Sequence, residues 1–230
     1  MEENDNEAEN RRDHRNMSTL ACHDPRWQNP KRLMRLRSPA VLFIVLAVFT
    51  SACASRSPAS TAMDANVRGE AAATALIGTT PPEWNPELWM HSPPLRLADL
   101  RGKVVLVRWW TADCPYCSAS APALRTFHET YGPRGLVVIG MYHHKGDDPF
   151  DPKVYEKTAK EYGFTFPLAF DLEWRTLKTW MRGVDPGFTS VTFVLDKNGV
   201  VRHFHPGGQY VQGDPAYADL RAAIERLLAS

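Results

Sequence analysis

Val104-Val105-Leu106-Val107-Arg108-Trp109-Trp110-Thr111-Ala112-Asp113-Cys114-Pro115-Tyr116-Cys117 is the stretch on which the fold turns. Its first seven residues are aliphatic or aromatic except Arg108, a pattern that predicts a strand covered on both faces by helices. Helical spacing follows over 118–131, with Ala121, Leu124, Phe127 and Tyr131 on one apolar face. A Cys-x-x-Cys between a buried strand and a helix is the context in which this spacing means thiol redox chemistry. Helix N-terminal amides favour a thiolate, so Cys114 is expected to attack and Cys117, one turn further in, to resolve. Pro115 stands at a helix-start position that tolerates it.

Working outward toward the C-terminus, Pro122 lies inside the helix, where it removes an amide donor, and Gly132 ends it. Residues 136–141 predict a second buried strand, 147–152 a polar turn and 154–162 a helix stopped at Gly163. Residues 166–170 predict a short strand whose Pro167 suggests an edge or a strand start. A helix over 174–181 and a loop over 183–190 lead to a strand over 191–195. Asp196-Lys197-Asn198-Gly199 is a hairpin turn. Its partner strand runs over 200–205, and a helix over 217–228 closes the chain. The order is that of an α/β fold, with a mixed central sheet, helices on both faces and a C-terminal antiparallel hairpin.

Toward the N-terminus, residues 81–99 carry five prolines with Trp84 and Trp89 and predict a loop or short hairpin packed on the core. The domain is expected to span 77–230. Residues 53–76, rich in Ala, Ser and Thr, read as a flexible tether with at most a helical turn over 71–76. Residues 34–52 read as a signal peptide: Arg35 and Arg37, then the apolar run 40–49, then small residues ending at Cys53. That run is half the ~20 residues needed to cross a bilayer. Residues 1–33 read as disordered, or as an extension ahead of a true start at Met34.

The 230 residues carry a formal net charge of +1, which offers no field for nucleic acid. The four cysteines, Cys22, Cys53, Cys114 and Cys117, sit in contexts too different for a disulfide scaffold.

Residues 100–107 with Trp110 and Cys114-Pro115-Tyr116-Cys117, Pro122 five residues beyond, and the hairpin 191–199 together resemble the membrane-anchored thioredoxin-like proteins of the TlpA/ResA and AhpC/TSA (redoxin) group. The resemblance covers about 77–229 and implies a thioredoxin-like fold. It also implies thiol–disulfide exchange through a Cys114–Cys117 disulfide without other cofactors. The expected partners are protein thiols and disulfides and an electron donor, met by a monomer. The residues before Cys53 resemble a bacterial lipobox, with Thr50 where Leu is usual, which implies lipidation at Cys53 and a membrane-anchored, extracytoplasmic domain. Two departures from the family stand at the site. Ser190 occupies the place of the cis-proline, and Arg108 the place of an Asn or Asp.

Arg108, Thr111, Tyr116 and Ser190 are therefore candidate supporting residues. Arg108 lies either beside the thiols or on the outer face. Other readings compete. Thr111-x-x-Cys114 resembles the peroxiredoxin pattern and implies peroxide reduction, although Val107 replaces the proline of that pattern. His143, His144 and His205, at the sheet edge expected to carry the cysteines, could complete a copper or zinc site, since a single Cys-x-x-Cys supplies only two ligands; more simply they are loop residues. His203 is expected half-exposed and His128 off its helix's apolar face. A redox-inert binding module is the remaining reading.

Overall fold

The computed structural model describes residues 58–145 and 149–230. The leader, the signal segment, Cys22, Cys53 and part of the 147–152 turn lie outside them. The described strands are β1 (Leu88–Met90), β2 (Val104–Trp110), β3 (Leu136–Tyr142), β4 (Leu168–Phe170), β5 (Thr192–Leu195) and β6 (Val201–His205). The helices are α1 (Pro58–Leu76), α2 (Pro115–Tyr131), α3 (Pro152–Glu161), α4 (Arg175–Met181) and α5 (Pro215–Ala229), with short 3₁₀ turns at Leu97–Leu100 and Gly132–Arg134.

One six-stranded sheet runs β1-β4-β3-β2-β5-β6. β2, β3 and β4 are parallel, while β1, β5 and β6 run antiparallel to their neighbours. This is the expected mixed sheet, a thioredoxin-like fold with β2 at its centre. All seven β2 residues are buried. Their alternation divides the core in two. Val104, Leu106 and Trp110 pack with α2, α3 and α5. Val105, Val107 and Trp109 pack with α1 and α4.

The structure departs from the sequence reading at three elements. The expected tether contains α1, nineteen residues long. Most of its apolar groups are alanines, yet Ala72 and Leu76 are fully buried, and a Cβ on Gly69 would meet Pro206 at 2.8 Å. Small residues let this helix approach closely, and Ala-rich sequence favours helix intrinsically. Gly78 and Thr79 then pair with Val201, covering the outer side of β6. Secondly, the edge strand is β1, which forms from the expected loop or short hairpin and pairs with β4 through Leu88–Phe170 and Met90–Leu168. β4 itself is interior, and of the two places expected for Pro167 it takes the strand start. Pro167 precedes β4 and only accepts, from Gly140 N–H, so the sheet loses no donor. Thirdly, α2 begins at Pro115, three residues earlier than expected, because Pro115 supplies N1 and Cys114 the N-cap.

Gly140 on β3 lies opposite Arg108. A Cβ there would meet Leu168 at 2.7 Å and the Trp110 indole at 3.1 Å. Gly140→Val is expected to cost about 1–3 kcal/mol through overpacking, measured as a lower urea midpoint with unchanged slope.

Candidate active site

The strand–turn–helix of β2 and α2 positions the cysteine pair. Cys114 caps α2 with extended backbone, and its carbonyl accepts from Cys117 N–H at 2.9 Å and Ser118 N–H at 3.1 Å. Both sulfurs are free thiols; Cys114 is half-buried and Cys117 is buried. Cys114 opens into a groove of about 390 Å³ lined by Thr111, Asp113, Pro115, Tyr116, Lys145 and the loop Gly187-Phe188-Thr189-Ser190. That loop brings in what sequence reasoning missed. Phe188 meets Tyr116 edge-on, with ring centroids 5.9 Å apart. The available signal was position: the loop directly precedes β5, where the family's cis-proline segment lies. Ser190 is in the groove as expected, and the described residues contain no cis peptide bond.

Burial pushes the Cys117 thiol up to about 11. The positive charge of Arg108 pulls the other way, the Cys114 thiol adds to the rise, and the Thr111 backbone opposes it. Arg108 thus lies beneath the thiols rather than on the outer face. It shares the α2 side of β2 with Leu106 and Trp110 and is 1% exposed. One guanidinium nitrogen donates to the Ser190 carbonyl and, at 3.3 Å, to Thr192 Oγ1; the other donates to the Gly208 carbonyl at 2.7 Å. Its Cζ lies over the Tyr210 ring, 4.9 Å from the ring centre. The two departures from the family are therefore one unit, since Arg108 holds the backbone of Ser190.

The histidines take other places. His143 is fully buried, edge-on to Trp174 at 4.6 Å, with Nε2 at 3.0 Å from Thr189 Oγ1. His144 Nδ1 sits between the Tyr142 and Tyr155 hydroxyls, 3.1 Å from each. His205 Nδ1 accepts from Gly207 N–H, and its ring meets Tyr210 edge-on at 5.2 Å. These partners correct the reading of His143 and His205 as solvated loop groups. Among the described residues, no three His, Cys, Asp or Glu are grouped to hold a metal ion.

Burial depresses His143 and His205 to about 3. In the unfolded chain they titrate near 6.5, so the unfolded state takes up protons first on acidification. Their stabilisation is complete above about pH 6.5 and is lost progressively down to pH 3, with a slope of up to ~1.4 kcal/mol per pH unit for each group. His143→Gln is expected to flatten the acid limb of the stability profile by that order, read by denaturant melts at pH 7, 6 and 5.

Comparison with known proteins places this geometry among relatives. Residues 78–204 match the AhpC/TSA family. The chain is 30% identical over 158 residues to Protein DipZ of Mycobacterium tuberculosis, covering 66% of this chain but 22% of DipZ. It is 30% identical over 133 residues to thiol-disulfide oxidoreductase ResA of Geobacillus kaustophilus, covering 57% of this chain and 67% of ResA. Chloroplastic peroxiredoxin Q of Triticum aestivum is 32% identical over 163 residues, covering 65% and 71%. The crystal structure of a thiol-disulfide isomerase from Corynebacterium glutamicum superposes with a TM-score of 0.54 at 25% identity, covering 65% of this chain and 96% of that one.

Proposed function

The chain belongs to the AhpC/TSA family, and from that premise we propose that it is an exported thiol–disulfide oxidoreductase acting through Cys114 and Cys117 on proteins of the cell envelope. The observation that carries the reading is the asymmetry of the two thiols. Cys114 faces the groove at the N-terminus of α2, and Cys117 is buried one turn behind it. The Cys114 thiolate attacks a substrate disulfide and forms a mixed disulfide while one substrate sulfur leaves. Cys117 then attacks the Cys114 sulfur, the Cys114–Cys117 bond forms, and the second substrate sulfur leaves. Two electrons pass from the cysteine pair to the substrate, and an electron donor resets the pair.

Tyr116 and Phe188 flank the groove and suit an extended polypeptide. A second hollow of about 350 Å³, lined by Trp174, Leu177, Met181, Val184 and Pro186, shares Phe188 and Thr189 with the groove. Its apolar walls support a protein substrate over a small thiol. The signal-like 34–52 and Cys53 support export and lipid anchoring. Metabolic labelling with a fatty acid, lost in Cys53→Ala, checks the anchor.

The reduction potential of the pair tests the direction of exchange. A value near −270 mV fits a reductant, and one near −120 mV an oxidant. Peroxide reduction is the second reading, favoured by the likeness to peroxiredoxin Q and by Thr111-x-x-Cys114. Against it, Val107 stands where the peroxiredoxin pattern places its proline. Peroxide consumption by the reduced chain is therefore expected to be slower than insulin reduction; faster consumption would move the assignment to a peroxidase.

A further inference from the structure

We propose that Arg108 is the counter-cation for a thiolate on Cys117, a positioning residue that lets the inner sulfur resolve the mixed disulfide. The inference rests on the proposed roles of Cys114 and Cys117 and adds what activates the second of them.

A buried guanidinium without an anion is costly, by several kcal/mol after relaxation. Arg108 is such a group. Its hydrogen bonds all go to neutral acceptors, the carbonyls of Ser190 and Gly208 and the hydroxyl of Thr192. Its Nε is buried without a partner. Among the described residues no carboxylate lies within ion-pair distance of it. The missing anion must come from a group that Arg108 faces.

Those groups are few. His143 and His205 feel its charge and are held neutral. Tyr210, fully buried against it, has its phenol pushed up by that burial. Cys117 remains: it packs in the core cluster of Leu106 and Trp110, on the face of β2 that Arg108 shares, and the charge of Arg108 favours its ionised form. Cys114 and the phenols of Tyr162 and Tyr210 also lie near the Cys117 sulfur. The carboxylate of Asp113 lines the groove and acts on Tyr162 but not on Cys117, so it is not placed to take the Cys117 proton. The chain therefore promotes the resolving nucleophile by a fixed positive charge, with the proton passing to solvent, rather than by a neighbouring base.

The step balances simply. The Cys117 proton is lost, its sulfur bonds to Cys114 Sγ, and the Cys114–substrate S–S bond breaks. The substrate sulfur departs as a thiolate that takes up a proton from solvent. Arg108 carries the charge that makes the first of these events more frequent, since each unit by which a thiol's pKa falls gives tenfold more thiolate.

The test follows the mixed disulfide between the full chain and insulin, acid-quenched and resolved by non-reducing mass spectrometry. Cys117→Ser traps the adduct on Cys114 and serves as the reference; its failure to trap would overturn the assignment of the two cysteines, and with it the proposed function. With Cys117 intact, Arg108→Gln keeps a donor for the Ser190 carbonyl but removes the charge. It is expected to accumulate the adduct and to resolve it at least tenfold more slowly, with the rate recovering as pH is raised. Arg108→Met serves as a second neutral variant should Gln not fold, and Arg108→Lys is expected to restore most of the rate. Resolution at the wild-type rate in a folded neutral variant overturns the proposal. So does an Arg108→Lys chain as slow as the neutral ones, which would make Arg108 a brace for the Ser190 and Gly208 backbone only.

Discussion

Cys114→Ser is expected to abolish insulin reduction, by about 10³-fold or more, while leaving the fold intact. The side chain is half-buried at a helix N-cap, where serine is well accepted, so stability stays within about 1 kcal/mol. The chemistry has no substitute. A serine hydroxyl stays protonated at neutral pH and cannot form the S–S bond on which exchange depends. The paired measurement is insulin turbidity against circular dichroism of the same sample. Cys117→Ser should lose turnover to a similar degree but retain one covalent event per chain, seen as a stable adduct. Substantial multiple-turnover activity in Cys114→Ser would place the reaction elsewhere.

Trp180→Ala on α4 carries the largest expected loss of stability. Trp180 is 2% exposed and sits at the centre of an aromatic cluster. It stacks on Trp84 at 6.0 Å and meets Trp109 at 5.4 Å and Phe193 at 5.3 Å edge-on. Its indole N–H donates to the Pro82 carbonyl at 3.1 Å. Truncation removes those contacts, leaves a cavity beneath β2 and orphans a carbonyl. A loss of about 3–5 kcal/mol is expected, read from the denaturant midpoint. Trp180→Phe should recover more than half of that, because it refills the cavity and omits only the hydrogen bond. A loss under 1 kcal/mol for the alanine variant would mean that α4 does not anchor this side of the sheet.

These two residues mark the range of what could be read in advance. The apolar run of β2 passing into Cys114-Pro115-Tyr116-Cys117 identified a covered strand and a helix-capping turn that carries the cysteine pair, because burial and helix capping are local demands written in adjacent residues. Trp180 gave no such sign. Its partners Trp84, Trp109 and Phe193 come from three distant segments, and only folding brings four rings together. The helix α1 was hidden for a related reason. A segment whose packing relies on Gly69, Ala72 and Leu76 shows little apolar periodicity, and its stability depends on Pro206 and β6 across the domain.

By itself the sequence determined the succession of strands and helices from β2 onward, the mixed sheet and the place of the cysteine pair at a helix N-terminus, since periodicity and capping chemistry act over a few residues. The tertiary structure alone decided what surrounds the sulfurs. Strand alternation left Arg108 with two faces to choose from, and the packing of α2 over β2 chose the side of Cys117. The turn of the loop 187–190 brought the Ser190 carbonyl to the Arg108 guanidinium and set Phe188 against Tyr116. Electrostatics falls off with distance through space rather than along the chain. A charge nine residues before Cys117 could therefore acquire its meaning only once the chain had folded.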